Sequence, residues 1–169
     1  AISFGQVWLL VEKNKSTWSG LFEAVDSLLI PQIEQKLQFK GQRFLLGESM
    51  GGFNAAQIYL KSKMKFKKVA LLCPAIVSVS PYSTKEEIEK YIERTQANPE
   101  LVSMMQTVSR MFLSGPEDWE KTSPLLLGEK NLSSQSPDLY ISCGTRDEYG
   151  FFEGTKLFLD FENYAQSVK

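Results

Sequence analysis

Histidine is absent from all 169 residues. Imidazole is the commonest metal ligand and the usual proton carrier near neutral pH, so its absence argues against a zinc site. Cysteine is almost as scarce. Cys73 and Cys143 make neither a disulfide framework nor a metal cluster. Each closes an apolar run, which points to buried free thiols, although neighbouring strands would let them face each other. Charge of one sign is also lacking: 19 basic residues oppose 20 acidic ones, so no overall field draws the chain to nucleic acid or an anionic membrane. The one basic cluster, Lys61, Lys63, Lys65, Lys67 and Lys68, reads as a solvated run where a helix ends. No apolar stretch approaches the roughly 18 residues of a membrane span, and no basic-then-apolar leader opens the chain. Repeats and low-complexity segments are missing as well.

What remains is an ordinary globular composition, 43% hydrophobic and 23% charged, which predicts a single domain over residues 1–169. Short apolar runs at 6–11, 43–47, 68–73 and 138–144 read as strands. Helical spacing separates them. Phe22, Val25, Leu29, Ile33 and Leu37 mark a helix that Pro31 divides or bends, and Phe53, Ala56, Leu60 and Met64 mark another. Alternation of this kind predicts an α/β fold with a mostly parallel sheet and, through right-handed crossovers, helices on both faces. Between 75 and 137 the alternation stops. Helical patterns at 85–95 and 100–113, with Met104, Met105, Met111, Phe112 and Trp119, predict a helical insertion that serves as a lid or the wall of an acyl pocket. A last helix is expected over 152–168.

The most informative stretch is Arg43-Phe44-Leu45-Leu46-Gly47-Glu48-Ser49-Met50-Gly51-Gly52. An apolar run, then GxSxG, then a helical pattern reads as a nucleophile elbow, the sharp strand-to-helix turn that lifts a serine hydroxyl above a parallel sheet. Gly47 and Gly51 are expected where a side chain would collide with the turn. Ser49 would sit strained at the helix N-terminus, with the Met50 N–H as an oxyanion donor. A plain glycine-rich turn with a capping serine is the bland alternative. Asp147, at the end of the last strand, suits the carboxylate that orients a general base, with Glu148 as the fallback; a turn or helix-capping aspartate is its bland reading.

Taken together, Leu29-Ile30-Pro31-Gln32-Ile33-Glu34, Gly47-Glu48-Ser49-Met50-Gly51-Gly52 and Cys143-Gly144-Thr145-Arg146-Asp147 resemble the putative-esterase branch of the α/β-hydrolases. That branch includes S-formylglutathione hydrolases, feruloyl esterases and antigen 85 mycolyltransferases. The resemblance implies an α/β-hydrolase fold, Ser49 as nucleophile, Asp147 as triad acid, the Met50 N–H as oxyanion donor, a small-molecule ester as substrate, and no cofactor. Thioesterase, acyltransferase or peptidase chemistry on the same serine, or a non-catalytic binding domain, are the alternatives.

The departures from the family are specific. Such folds begin with further strands that supply the second oxyanion donor, and they carry the triad histidine after the acid. Neither is present, and no lysine stands out as a substitute base. The expectation is therefore an incomplete hydrolase lacking its first strands and its histidine-bearing C-terminal part, with Trp8, Leu9 and Leu10 left on an open sheet edge.

Overall fold

A computed structural model describes residues 20–131 and 138–167. The strand expected at 6–11, with its apolar edge, lies outside the described residues. The other three strands are present: β1 (Phe44–Glu48), β2 (Lys68–Leu72) and β3 (Asp138–Ser142). They form a parallel sheet in the order β1-β2-β3, with Leu46 opposite Ala70 and Ala70 opposite Tyr140.

Eight α-helical segments accompany the sheet among the described residues. The first helical stretch runs through α1 (Leu21–Glu23), π-helical turns over Ala24–Leu29, and α2 (Ile30–Lys36). Pro31 does not divide it. The Ile30 N–H reaches back five residues to the Val25 carbonyl, and this wider turn accommodates the proline where a regular turn would clash. Glu34 of α2 then ties the stretch to the entrance of β1 through a paired hydrogen bond with Arg43, both contacts at 2.6 Å. The Arg43 guanidinium holds the Glu34 carboxyl below the usual carboxylate range.

The remaining helices are α3 (Met50–Lys61), α4 (Lys85–Thr95), α5 (Pro99–Phe112), α6 (Pro116–Glu120), α7 (Pro124–Asn131) and α8 (Phe151–Ser167). Thr84 and Glu87 close a capping box on α4, and Asn98 caps α5, so both insertion helices begin where their first N–H groups find side-chain acceptors. Among the described residues no helix is long and apolar enough to cross a membrane.

Alternation along the strands decides which face is covered. Val69 and Leu71 point into a core shared with Ala55 and Ala56 of α3, Leu125 of α7 and Phe158 of α8. The opposite face presents Phe44, Leu46 and Tyr140, exposed at 61%, 70% and 61%. Helices on both faces were expected; among the described residues α3, α7 and α8 pack on the Val69 and Leu71 face. The reason is topological. Strand order advances in one direction, and successive right-handed crossovers that advance one way lie on the same side of a sheet; only a reversal of order changes the side.

Core and open faces should differ sharply on truncation. Phe158→Ala, at a fully buried site, is predicted to cost about 3–5 kcal/mol in urea denaturation. Leu46→Ala, on the open face, should cost less than about 1 kcal/mol.

Candidate active site

A single residue, Ser49, separates the end of β1 from the start of α3. Its backbone lies at φ 52°, ψ −119°, a region an L-residue occupies only when its surroundings impose it. Three backbone hydrogen bonds do so. The Ser49 N–H donates to the Leu72 carbonyl at 3.0 Å, and the Ser49 carbonyl accepts from the N–H groups of Phe53 at 3.1 Å and Ala75 at 2.9 Å. β2 and the segment after it therefore hold the serine from both sides.

The hydroxyl is left out of this scheme. Ser49 makes no side-chain cap bond to α3, and the residue is exposed. A capping serine has an extended backbone and spends its oxygen on the second or third helical N–H; Ser49 does neither. Met50, Gly51 and Gly52 precede the first bond of the helix, from the Phe53 N–H to the Ser49 carbonyl, so the positive end of α3 lies beside the hydroxyl.

Space around this turn is unevenly distributed. A Cβ on Gly47 would stand 2.2 Å from the Gly51 carbonyl oxygen, so only glycine fits there. At Gly51 a Cβ would meet nothing within 4 Å, contrary to the collision expected from the motif. The second tight position is Gly52, where a Cβ would lie 2.8 Å from the Pro74 Cα. Gly51 contributes through its carbonyl, which Gly47 must clear. The adjoining glycine in Gly51-Gly52 and the proline that ends the β2 run were the signals available for this contact.

The other two strands end beside the same place. Met50, Cys73, Cys143 and Tyr149 all pack around a cluster of Phe53, Ala75, Leu113, Trp119 and Phe151. Cys73, also at positive φ, 41°, donates its N–H to the Ser142 carbonyl at 2.5 Å. The two thiols face each other at 3.5 Å and are half-buried, less enclosed than expected.

After β3 the chain turns through Asp147 into α8. Its carboxylate accepts the Tyr149 N–H at 3.3 Å through Oδ1 and the Phe151 N–H through Oδ2, which caps the helix. Among the described residues no hydrogen bond joins Asp147 to Ser49. Glu148 is exposed, and its carbonyl accepts the Asn98 N–H at 2.7 Å, fixing α5 to this turn. Glu153, in the first turn of α8, accepts from Arg94 of α4, at 2.8 Å to Nη2, and from the Ser78 hydroxyl. The Arg94 guanidinium holds the Glu153 carboxyl below the usual range.

Two hollows flank the strand ends. A small apolar one of about 50 Å³ is lined by Met50, Phe53, Ala75, Met105, Val108 and Trp119, among others. A larger one of about 530 Å³ lies over Arg94, Arg146, Asp147, Glu148 and Lys156 and does not include Ser49. Among the described residues no group of three or more His, Cys, Asp or Glu residues could hold a metal ion.

The profile of the family described as "Putative esterase" matches residues 11–161. This chain belongs to that esterase family. A solved S-formylglutathione hydrolase from Agrobacterium tumefaciens is similar at 15% identity and a TM-score of 0.48, covering 96% of this chain and 63% of its own. The chain thus spans 63% of the length of that hydrolase. Among curated protein sequences none matches. Family membership accords with the α/β-hydrolase-type fold read from the sequence and with the parallel sheet flanked by helices.

Two stability measurements test how this esterase-family turn is built. Gly47→Ala is predicted to cost at least about 1–3 kcal/mol in denaturant, while Gly51→Ala should change stability by less than about 1 kcal/mol. Glu153 gives a pH signature. Because its folded pKa is depressed, its contribution is complete above the unfolded value of about 4.3 and is lost as pH falls through the lower folded value. Acid unfolding followed by circular dichroism should show a shallower loss over that window in Glu153→Gln than in the parent chain.

Proposed function

We propose that this esterase-family chain carries the nucleophile of a serine hydrolase acting on carboxylic esters through an acyl-enzyme on Ser49. The observation that carries the reading is the state of that residue: Ser49 is exposed, its hydroxyl is unused as a cap, and its backbone stands at φ 52° between a strand and a helix. Such strain persists only where neighbouring structure enforces it, and it concentrates at working sites. The order strand, one-residue turn, helix supports reading this segment as a nucleophile elbow.

In the proposed reaction Ser49 Oγ adds to the ester carbonyl carbon and its proton passes to a base. The carbonyl electron pair moves onto oxygen, where the Met50 N–H and the positive end of α3 favour the charge. Collapse expels the alcohol, which takes up the proton, and water then hydrolyses the acyl-enzyme by the same route. None of the 169 residues is a histidine, so we assign the base to an imidazole from outside this stretch, with Asp147 orienting it. The capping bonds on Asp147 do not preclude this role. Each carboxylate oxygen has two lone pairs, and one amide on each leaves capacity for an imidazole N–H.

The insertion supplies the other part of the reading. α5 contributes Met105 and Val108, and α6 contributes Trp119, to the apolar hollow beside Met50 and Ala75. We assign these helices as the wall that receives the apolar acyl group. Met104 and Met111 face outward and take no part in it. Thioester, acyl-transfer or peptide chemistry would use the same serine and differ in the leaving group. The lack of histidine favours one further reading, a domain that keeps the turn and binds without catalysis.

Supplying the missing base tests the assignment. The 169-residue chain alone is predicted to hydrolyse p-nitrophenyl acetate barely above background. Added imidazole should raise the protein-dependent rate, because a positioned proton acceptor contributes roughly 10²–10⁴-fold and a diffusible one recovers part of that. Ser49→Ala should remove the gain. A gain that survives in Ser49→Ala, or no gain in the parent chain, sinks Ser49 as nucleophile and favours the binding domain.

A further inference from the structure

The two cysteines sit where the catalytic reading does not use them, at the ends of β2 and β3, one residue past the last paired positions Leu72 and Ser142. Their sulfurs are 3.5 Å apart. Neighbouring strands run about 4.8 Å apart, inside the Cα separation of roughly 4.4–6.8 Å that a disulfide spans, so a bond of about 2.05 Å requires the sulfurs to close by only about 1.5 Å. Both residues are half-buried, so a small oxidant can approach.

What surrounds Cys73 gives this closure a consequence. The residue before it, Leu72, accepts the Ser49 N–H; Pro74, after it, stands against Gly52; and Ala75 donates to the Ser49 carbonyl. Every contact that holds Ser49 from the β2 side thus lies within two residues of Cys73. Cys73 itself is at φ 41°, a backbone with little tolerance for displacement.

We infer that Cys73 and Cys143 are a modification site: a small-molecule disulfide such as oxidised glutathione converts the pair to an intramolecular disulfide, which pulls the β2 end and loosens the clamp on Ser49. The link to catalysis rests on the reading of Ser49 as nucleophile, whereas the disulfide and the loosened clamp do not. Burial and the neighbouring Cys73 thiol push the Cys143 thiol up to about 12. Cys73 Sγ attacks one sulfur of the reagent and expels a thiolate. Cys143 Sγ then attacks Cys73 Sγ and expels the second. The pair loses two electrons and two protons, and the reagent is reduced to two thiols.

The test treats the chain with oxidised glutathione and reads two quantities. Intact mass and non-reduced peptide maps should show the loss of two hydrogens and a Cys73–Cys143 cross-link, absent in Cys143→Ser and reversed by dithiothreitol. Hydrogen exchange at the Ser49 and Ala75 amides should become at least about tenfold faster in the oxidised form. Free thiols, or mixed disulfides with glutathione and no cross-link, overturn the site. A cross-link with unchanged exchange at both amides overturns its coupling to the clamp. Neither readout uses the Ser49 hydroxyl, so failure here and failure of Ser49 as nucleophile are separable results.

Discussion

Everything near the strand ends depends on how the backbone of one serine is held. Ser49 occupies a conformation that costs of order 1–3 kcal/mol, and three hydrogen bonds offset that cost, from Leu72, Phe53 and Ala75. Two come from β2 and its extension and one from the first turn of α3. The clamp therefore exists only when the parallel pairing of β1 with β2, the seating of α3, and the turn through Cys73 and Pro74 are all in place. Local strain is supported by non-local structure, and this couples the integrity of the fold to the presentation of a single hydroxyl.

The glycines and the sheet serve the same constraint. Gly47 lets the α3 backbone return within van der Waals distance of β1, and Gly52 lets Pro74 close over the helix start. Behind them, Val69, Leu71 and Phe158 fill the layer between sheet and helices, so the ends of the strands do not move independently. In front, α5 and α6 close an apolar hollow next to Met50. The Ser49 turn thus stands between a packed layer behind and an apolar hollow ahead.

Much of this was legible in residue order. Apolar runs of five to seven residues at 43–47, 68–73 and 138–144 located the described strands to within two residues, because buried parallel strands leave continuous hydrophobic stretches. GxSxG between a strand and a helix located the turn. Three features were not legible. Pro31 forecast a helix divided or bent; it is not divided, because a π-turn accommodates the proline, and periodicity does not distinguish a break from a widened turn. Helices on both faces were expected, and among the described residues α3, α7 and α8 pack on one, because alternation of strands and helices does not reveal the direction in which strands are added to the sheet. The collision assigned to Gly51 belongs to Gly52, because the contact partner, Pro74, is distant in sequence and enters only through folding. Asp147 shows how one residue type supports two readings: its capping bonds are plain in the structure, and its capacity for a further bond carries the proposed role.

The most direct test of a nucleophilic Ser49 is to map covalent phosphonylation. The chain is treated with a fluorophosphonate in imidazole buffer, digested, and the modified residue is read by tandem mass spectrometry. A reactive serine on this turn predicts one adduct, on Ser49 alone among all the serines. An adduct on any other serine, or none at all under conditions that label an unrelated serine hydrolase, would contradict it.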